Sequence, residues 1–184
     1  MIPCYISGKG MHATQTTWEF KETVIEFLET SGLGYDTRFH YYRNEFPDMD
    51  VKRLARLICD PIEYYDRGWA VYWANKKDGR ERDDVLTEYM WQLDEKFQAE
   101  AHVAIVCFDE AGLGTGINAM RFLVRRKPIL GFYNVAARRF GVNVNNILQL
   151  KLEFPDLVTL KQYQAQDDVR AAVGEWLTEQ NRKA

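Results

Sequence analysis

The sequence predicts a single α/β domain of three layers, with helices on both faces of a mostly parallel sheet. Two observations predict this fold class. Short apolar runs alternate with helix-like segments along most of the chain. In addition, residues 103–131 contain an apolar run, a glycine-rich turn, a helix-like segment ended by Pro128 and a second apolar run. This is the pattern of a βαβ unit, and it favours a flavodoxin-like or Rossmann-like sheet.

Length and composition are those of one domain covering residues 1–184. Of these 184 residues, 46% are hydrophobic and 28% are charged, which is ordinary for a globular domain with one core. The net charge of −3 gives no polyanion-binding footprint, so nucleic acid is not an expected partner. The sequence shows no signal-peptide pattern and no apolar segment of transmembrane length, so no membrane partner is expected.

The cysteines predict a reducing compartment. Cys4, Cys59 and Cys107 are odd in number, far apart and without C-x-x-C spacing. This pattern is typical of reduced thiols in a cytoplasmic protein, and it does not indicate a structural zinc site. We expect no bound metal, and we also expect no cofactor.

The first part of the chain is predicted to contain two strands and two helices. Helical spacing of apolar residues predicts the helices, and apolar or aromatic runs predict the strands. A strand or a surface loop is equally compatible with the aromatic-rich segment 64–73. The predicted elements are a strand at 2–7, a helix at 18–30 capped by Thr14, Thr16 or Thr17, a strand at 35–42 and a helix-like piece at 51–58.

The second part of the chain is predicted to continue the alternation and to end in a helix. Residues 85–99 have a strong amphipathic stripe, and Asp167-Asp168 are suited to cap the terminal helix. The asparagine-rich stretch near 141–146 is predicted to be a loop. The other elements are a central strand at 102–108, a helix at 117–126, a strand at 129–133 and a short strand at 156–161.

The glycine-rich turn is the first candidate binding site. Ligands of open α/β sheets bind at the carboxyl ends of strands, where Gly112, Gly114 and Gly116 are predicted to lie. A helix that starts at 114–116 points unpaired N–H groups at a phosphate, a carboxylate or a sugar hydroxyl. Alternatively, the turn needs its glycines only for packing. The spacing matches neither the dinucleotide-binding fingerprint nor a Walker A loop.

Three groups of residues occur in the order and spacing of a known family. They are Tyr5-Ile6-Ser7-Gly8, Asp94 eight positions before His102, and Gly114-Thr-Gly116-Ile-Asn118 followed by Arg126-Lys127-Pro128. Together they resemble motifs of the nucleoside 2-deoxyribosyltransferase family, which includes nucleotide N-glycosidases. The resemblance covers residues 1–10 and 85–135 and is plausible to the C-terminus. Residues 35–80 match nothing in the family.

The resemblance implies a nucleoside- or nucleotide-binding protein that cleaves or transfers an N-glycosidic bond. The ribosyl group would bind over 112–118, with the base between the loops after the first two strands. Asp94 would position or protonate the leaving group. The resemblance also implies a homo-oligomer, because this family often completes its sites from neighbouring subunits. Its implied substrate-binding residues are Tyr5, Gly8, Gly112, Gly114, Thr115 and Gly116.

Two positions depart from the family pattern. Asn118 stands where the family has its nucleophilic glutamate, and Gly112 stands where many members have an aspartate. A neutral amide is a poor nucleophile and stabilises an oxocarbenium-like transition state poorly. The alternative function is therefore a catalytically inactive, nucleotide-sensing protein or an oligomeric interaction protein. The 14% aromatic content, dense at 64–73, also predicts an interface between subunits.

Other carboxylates are candidates for the missing catalytic role. Asp109 and Glu110 follow the central strand on the ligand side of the sheet and could act as nucleophile or general acid–base. The simpler interpretation is that they cap or solvate the turn. Asp94 also has two interpretations. It lies at the edge of a buried helix face, within reach of a crevice, or it is a surface acid beside Glu95 and Lys96.

Overall fold

The computed structural model describes residues 1–9, 13–59, 82–134 and 144–183. The described strands form one sheet of five strands in the order β2-β1-β3-β4-β5, with each neighbouring pair parallel. This confirms the predicted α/β class with a parallel, flavodoxin-like sheet. The strands are β1 (Ile2–Ser7), β2 (Gly34–Asp36), β3 (Val103–Cys107), β4 (Ile129–Tyr133) and β5 (Val158–Gln162).

Helices cover both faces of this sheet. The crossovers from β1 to β2 and from β3 to β4 run in opposite directions, so right-handed connections place their helices on opposite faces. On one face Phe20 packs against Phe132 of β4, and on the other Phe122 packs against Tyr5 of β1. The described helices are α1 (Gln15–Ser31), α2 (Thr37–Glu45), α3 (Val51–Cys59), α4 (Arg82–Glu100), α5 (Leu113–Val124), α6 (Val144–Glu153) and α7 (Gln166–Lys183).

The central strand β3 is buried along its whole length. A continuous apolar run such as Val103–Cys107 is typical of a parallel strand covered on both faces, in contrast to the alternation of a half-exposed strand. Cys4 and Cys107 are buried in this core with free thiols. Among the described residues, no helix combines the length and apolar character needed to cross a bilayer.

The predicted strand at 35–42 is wrong beyond Asp36. Strand β2 ends at Asp36, whose carboxylate accepts a hydrogen bond from the Phe39 backbone N–H at 2.8 Å and caps α2. The other carboxylate oxygen accepts from the Ile6 N–H at 2.9 Å, which ties the cap to β1. An N-cap carboxylate favours a helix strongly enough to override the strand preference of the aromatic residues that follow. Phe39 and Tyr42 are both buried by this helix.

The predicted loop near 141–146 is also wrong in part. Helix α6 begins at Val144, so Asn145 and Asn146 lie in its first turn, while 141–143 fall outside the described residues. Asparagine is common in turns but also near helix starts, and the buried Ile147 anchors this helix to the core. The aromatic segment 64–73 lies outside the described residues.

Candidate functional site

The sheet order places a topological switch point at the carboxyl ends of β1 and β3. The chain leaves β1 toward β2 and leaves β3 toward β4, so the two connections diverge at this point. Such a topological switch point is the usual ligand position in open α/β sheets. We call the carboxyl ends of these two strands, together with the start of α5, the β1/β3 crevice.

Helix α5 begins four residues earlier than predicted, at Leu113. Gly112 is its N-cap in an extended conformation, and no side chain caps the helix. The Gly116 N–H donates to the Gly112 carbonyl at 3.1 Å. The N–H groups of residues 113–115 precede this first bond and have no partner within the helix. Gly114 and Gly116 therefore lie inside the first turns of α5, while Thr115 between them is buried.

Packing in the described part of the chain does not require these glycines. A Cβ atom placed on Gly112, Gly114 or Gly116 would meet no atom within 4 Å. Gly131 is different, because its Cβ would lie 2.5 Å from Phe108 Cε2. None of the three glycines at the start of α5 has a positive φ angle. The open surface above them leaves room for a ligand or a partner to approach the backbone closely.

Three of the candidate residues meet in one polar cluster. The Tyr5 hydroxyl donates to Asp94 Oδ1 at 3.2 Å, although the two residues are 89 positions apart. Asn118 Nδ2 lies 3.5 Å from the Tyr5 hydroxyl and 3.5 Å from Ser7 Oγ. Strand β1 supplies Tyr5 and Ser7, α4 supplies Asp94, and α5 supplies Asn118. We call these four residues and Gln98, described below, the Tyr5 cluster.

Comparisons with known proteins add no identity to this site. No model of a known protein family matches the sequence. No curated protein sequence matches it either. The resemblance described above therefore rests on its motifs.

The Tyr5 cluster keeps its phenol protonated. Burial raises the pKa of Tyr5 well above its usual range; the nearby Arg38 guanidinium opposes this effect and Asp94 adds to it. The Arg38 guanidinium lies 4.6 Å from the centre of the Tyr5 ring and also donates to the Ile6 carbonyl oxygen. Tyr5 is thus held in place as a hydrogen-bond donor. Asp94 is only half-buried, so part of its side chain is open to solvent.

Sequence reasoning missed Gln98. Its side chain is fully buried, and its Nε2 donates to Asn118 Oδ1 at 2.9 Å. The available signal was its position four residues after Asp94, because residues i and i+4 share one face of a helix. A buried glutamine is also unusual and needs an explanation.

Glu110 joins the turn after β3 to the start of α1. Its Oε2 accepts hydrogen bonds from the Thr14 N–H at 2.8 Å, the Thr14 hydroxyl at 2.9 Å and the Thr17 hydroxyl at 2.6 Å. Lys9 Nζ lies 3.7 Å from the other carboxylate oxygen. Burial opposes ionisation, but the hydrogen bonds from Thr17 and Thr14 outweigh it and lower the pKa of Glu110.

Asp109 is buried and joins β3 to the outer strands. It accepts hydrogen bonds from the Asn134 N–H at 2.6 Å and from the Tyr163 hydroxyl. Burial raises the pKa of Asp109, and these two hydrogen bonds partly offset that effect. The hydrogen bonds of Asp109 and Glu110 thus go to elements other than the Tyr5 cluster. Gly8 also has a packing role, since its Cβ would lie 3.3 Å from Cys107 Cβ.

The outer face of α5 carries an apolar stripe next to the crevice. Leu113 and Val124 are 83% and 75% exposed, and Ile117 and Met120 between them are also exposed. These four residues, which we call the α5 stripe, line a shallow groove of about 590 Å³ together with Gly112, Gly116, Arg121 and Arg125. The groove runs along α5 and does not include Tyr5, Asp94 or Asn118. Exposed apolar stripes of this kind commonly mark interfaces.

Metal ligands are not grouped in the part of the chain that the structure describes. Within residues 1–9, 13–59, 82–134 and 144–183, no three His, Cys, Asp or Glu side chains are arranged to hold a metal ion. The carboxylates near the crevice are occupied by hydroxyl and N–H donors instead. The groups that this site offers a ligand are thus hydrogen-bonding groups.

Proposed function

We propose that this chain binds a nucleoside or nucleotide in the β1/β3 crevice. The observation that carries the proposal is the meeting of Tyr5, Asp94 and Asn118 beside the open glycines of α5. A phenol, a carboxylate and an amide are suited to recognise hydroxyls and base edges. The unpaired N–H groups at the start of α5 are suited to phosphate or sugar oxygens. The ribosyl group would lie over 112–118, and the base near the loops after β1 and β2.

The same cluster limits the chemistry that follows binding. Cleavage of an N-glycosidic bond leaves the electron pair on the base, which then needs a proton or a hydrogen bond. Asp94, which accepts a hydrogen bond from the Tyr5 hydroxyl, is the group we propose for this role. It must carry a proton on its other oxygen when the ligand is bound, because an ionised carboxylate cannot donate. Covalent transfer also needs a nucleophile at the anomeric carbon, and Asn118 supplies only an amide. We therefore propose binding with weak or absent covalent transfer, which is the behaviour of a nucleotide sensor.

A second copy of the chain is the partner proposed for the α5 stripe. The stripe residues are spaced 4, 3 and 4 positions apart, so the pattern is the same in both directions along the helix. An antiparallel copy would place Leu113 opposite Val124 and Ile117 opposite Met120, as a two-fold contact requires.

A titration panel tests the proposed ligand. The protein would be titrated calorimetrically with nucleosides and nucleoside 5′-monophosphates, and free base would be measured by chromatography. Binding without base release supports a sensor, and binding with base release assigns a glycosidase. Absence of binding by every member at millimolar concentration would overturn the proposal. Asp94→Asn should remove any base release, whereas Asp156→Asn, on the exposed surface, should change neither quantity.

A further inference from the structure

The carboxamide of Asn118 forms one short hydrogen bond, through its oxygen, and only long contacts through its nitrogen. Its Oδ1 accepts from Gln98 Nε2 at 2.9 Å, which is an ordinary hydrogen-bond length. Its Nδ2 lies 3.5 Å from both the Tyr5 and Ser7 oxygens, at the limit where hydrogen bonds become weak. The oxygen is therefore engaged by the protein, while the two N–H donors of Asn118 are only weakly used.

Gln98 is itself held in an unfavourable setting. It is fully buried on α4, and among the described residues its Oε1 has no hydrogen-bond partner. A buried acceptor without a partner destabilises a fold, and an apolar side chain of similar shape would avoid this. An apolar residue would lack the N–H donor of the glutamine. This group donates to Asn118 Oδ1 at 2.9 Å and is also close enough to the Tyr5 hydroxyl to oppose the burial that raises the pKa of Tyr5.

We propose that Gln98 is a positioning residue that sets which end of the Asn118 amide meets the ligand. By holding Oδ1, it turns Nδ2 toward Ser7 and Tyr5 at the carboxyl end of β1. The site then recognises a hydrogen-bond acceptor on the ligand, such as a hydroxyl, carbonyl or phosphate oxygen. With the amide reversed, the site would select a donor instead. This inference rests on the proposed nucleoside or nucleotide binding.

The amide orientation can be measured without any ligand. In ¹⁵N-labelled protein, the side-chain amide signals would be assigned by their loss in Gln98→Met and Asn118→Ala. We expect the Gln98 Nε2 protons to exchange slowly with solvent, because they are buried and donated. The Asn118 Nδ2 protons should exchange quickly. Slow exchange of the Asn118 protons would mean the reverse orientation, with Asn118 Nδ2 donating to Gln98 Oε1, and would overturn the proposal.

A substitution that can be switched by pH tests the effect on binding. The probe is the nucleoside monophosphate that binds tightest in the panel. In Gln98→Glu, an ionised carboxylate cannot donate to Asn118 Oδ1, so we expect affinity near pH 8 to fall on the order of tenfold, the effect of one hydrogen bond. At acid pH the introduced carboxyl is protonated and donates again, so affinity should recover. Burial should raise the pKa of this carboxyl, which brings the recovery into an accessible range.

Matched variants separate positioning from loss of structure. Gln98→Met keeps the shape without a donor, so its binding should be weak at every pH. Gln92→Glu lies on the exposed surface of the same helix and should bind like wild type throughout. Wild-type affinity in both Gln98 variants at every pH would overturn the inference. If no panel member binds wild type, the proposed function fails, and the exchange measurement still decides the amide orientation.

Discussion

At residue 118, the choice between a carboxylate and a carboxamide would decide what chemistry the proposed site could perform. A carboxylate can attack an anomeric carbon and stabilise developing positive charge, whereas an amide does both poorly. The surroundings of Asn118 would suit either group. Gln98 donates to the oxygen at this position, and the Tyr5 hydroxyl is protonated and close by. The missing charge at 118 thus accounts for the proposed weak transfer.

Restoring a carboxylate at residue 118 should raise glycosidase activity. Wild type should show weak or no deoxyribosyl transfer, and Asn118→Glu should release free base from a 2′-deoxynucleoside faster. The expected gain is on the order of tenfold, below the roughly 10²–10⁴-fold of a well-aligned catalytic group, because Gly112 provides no carboxylate partner. Chromatography of the free base measures this rate, and Asn118→Gln provides the neutral control of equal size.

A different result would move the catalytic role to another carboxylate. Robust base exchange by wild type that survives Asn118→Ala would contradict this account. Asp109→Asn and Glu110→Gln, measured separately, would then identify the working group.

Glu110 should stabilise the fold in a pH-dependent way. Its hydrogen bonds from Thr14 and Thr17 lower its pKa below the ordinary 4.5, so the folded state favours the ionised form. This stabilisation is fully present above about pH 4.5 and is lost as the pH falls through the folded-state pKa. Glu110→Gln should lower the free energy of unfolding by about 1–3 kcal/mol near neutral pH.

Denaturant unfolding at several pH values measures this effect. The difference between wild type and Glu110→Gln should shrink as the pH approaches about 3. Glu175→Gln, an exposed position on α7, should leave the stability unchanged at each pH. An equal difference near pH 7 and near pH 3 would show that the charge of Glu110 is not the cause.

At the scale of elements, the start of α5 combines poor helix formers with open space. Glycine inside a helix costs about 0.5–1 kcal/mol relative to alanine. Gly114 and Gly116 lower the stability of the helix in this way, although a Cβ atom at either position would contact no described neighbour. Stability of the described fold therefore does not explain them, whereas close approach of a ligand or partner would.

Alanine at these positions should separate stability from binding. Gly114→Ala and Gly116→Ala should each raise the free energy of unfolding by about 0.5–1 kcal/mol and weaken nucleotide binding. In Gly131→Ala the new methyl would lie 2.5 Å from Phe108 Cε2 and 2.8 Å from Leu160 Cδ2. This variant should therefore be destabilised by about 1–3 kcal/mol. Denaturant unfolding and calorimetric titration measure the two effects. If neither Gly114→Ala nor Gly116→Ala changed the affinity for nucleotide, ligand binding would not explain these glycines.

At the scale of the whole molecule, the α5 stripe is the proposed contact between two copies of the domain. A charge introduced at Val124 or Leu113 would be buried in the proposed two-fold contact, where it is costly. We expect Val124→Glu and Leu113→Glu to weaken self-association by at least about tenfold, because burying an unpaired charge costs more than the roughly 1.4 kcal/mol of that factor. Sedimentation of wild type and variants at tens of micromolar measures this change.

The control for self-association uses an equally exposed leucine. Leu152 on α6 is 79% exposed and lies outside the α5 stripe, so Leu152→Glu should sediment like wild type. A wild-type protein that is monomeric at tens of micromolar would argue against the contact. Equal effects of the Leu152 and Val124 variants would argue against its proposed position.

The fold class and most elements could be predicted from the sequence, because the hydrophobic periodicity of a helix or strand depends only on residues close together in the chain. The apolar run at β3 and the amphipathic stripe of α4 could be recognised without knowing their surroundings. The segment 35–42 could not. There, the strand preference of the aromatic residues competes with helix capping by Asp36. Asp36 is held in place by the Ile6 N–H of β1, which is 30 positions away in the sequence.

The resemblance of the sequence motifs to a known family also provided the candidates Tyr5, Asp94 and Asn118. Only the tertiary structure decided that they meet, that Gln98 joins them and that Asp109 and Glu110 bind elsewhere. The reason is physical: these side chains come from β1, α4 and α5, and their distances depend on strand order and helix packing. Those long-range contacts are set by burial of the whole core, which no local segment of the chain encodes.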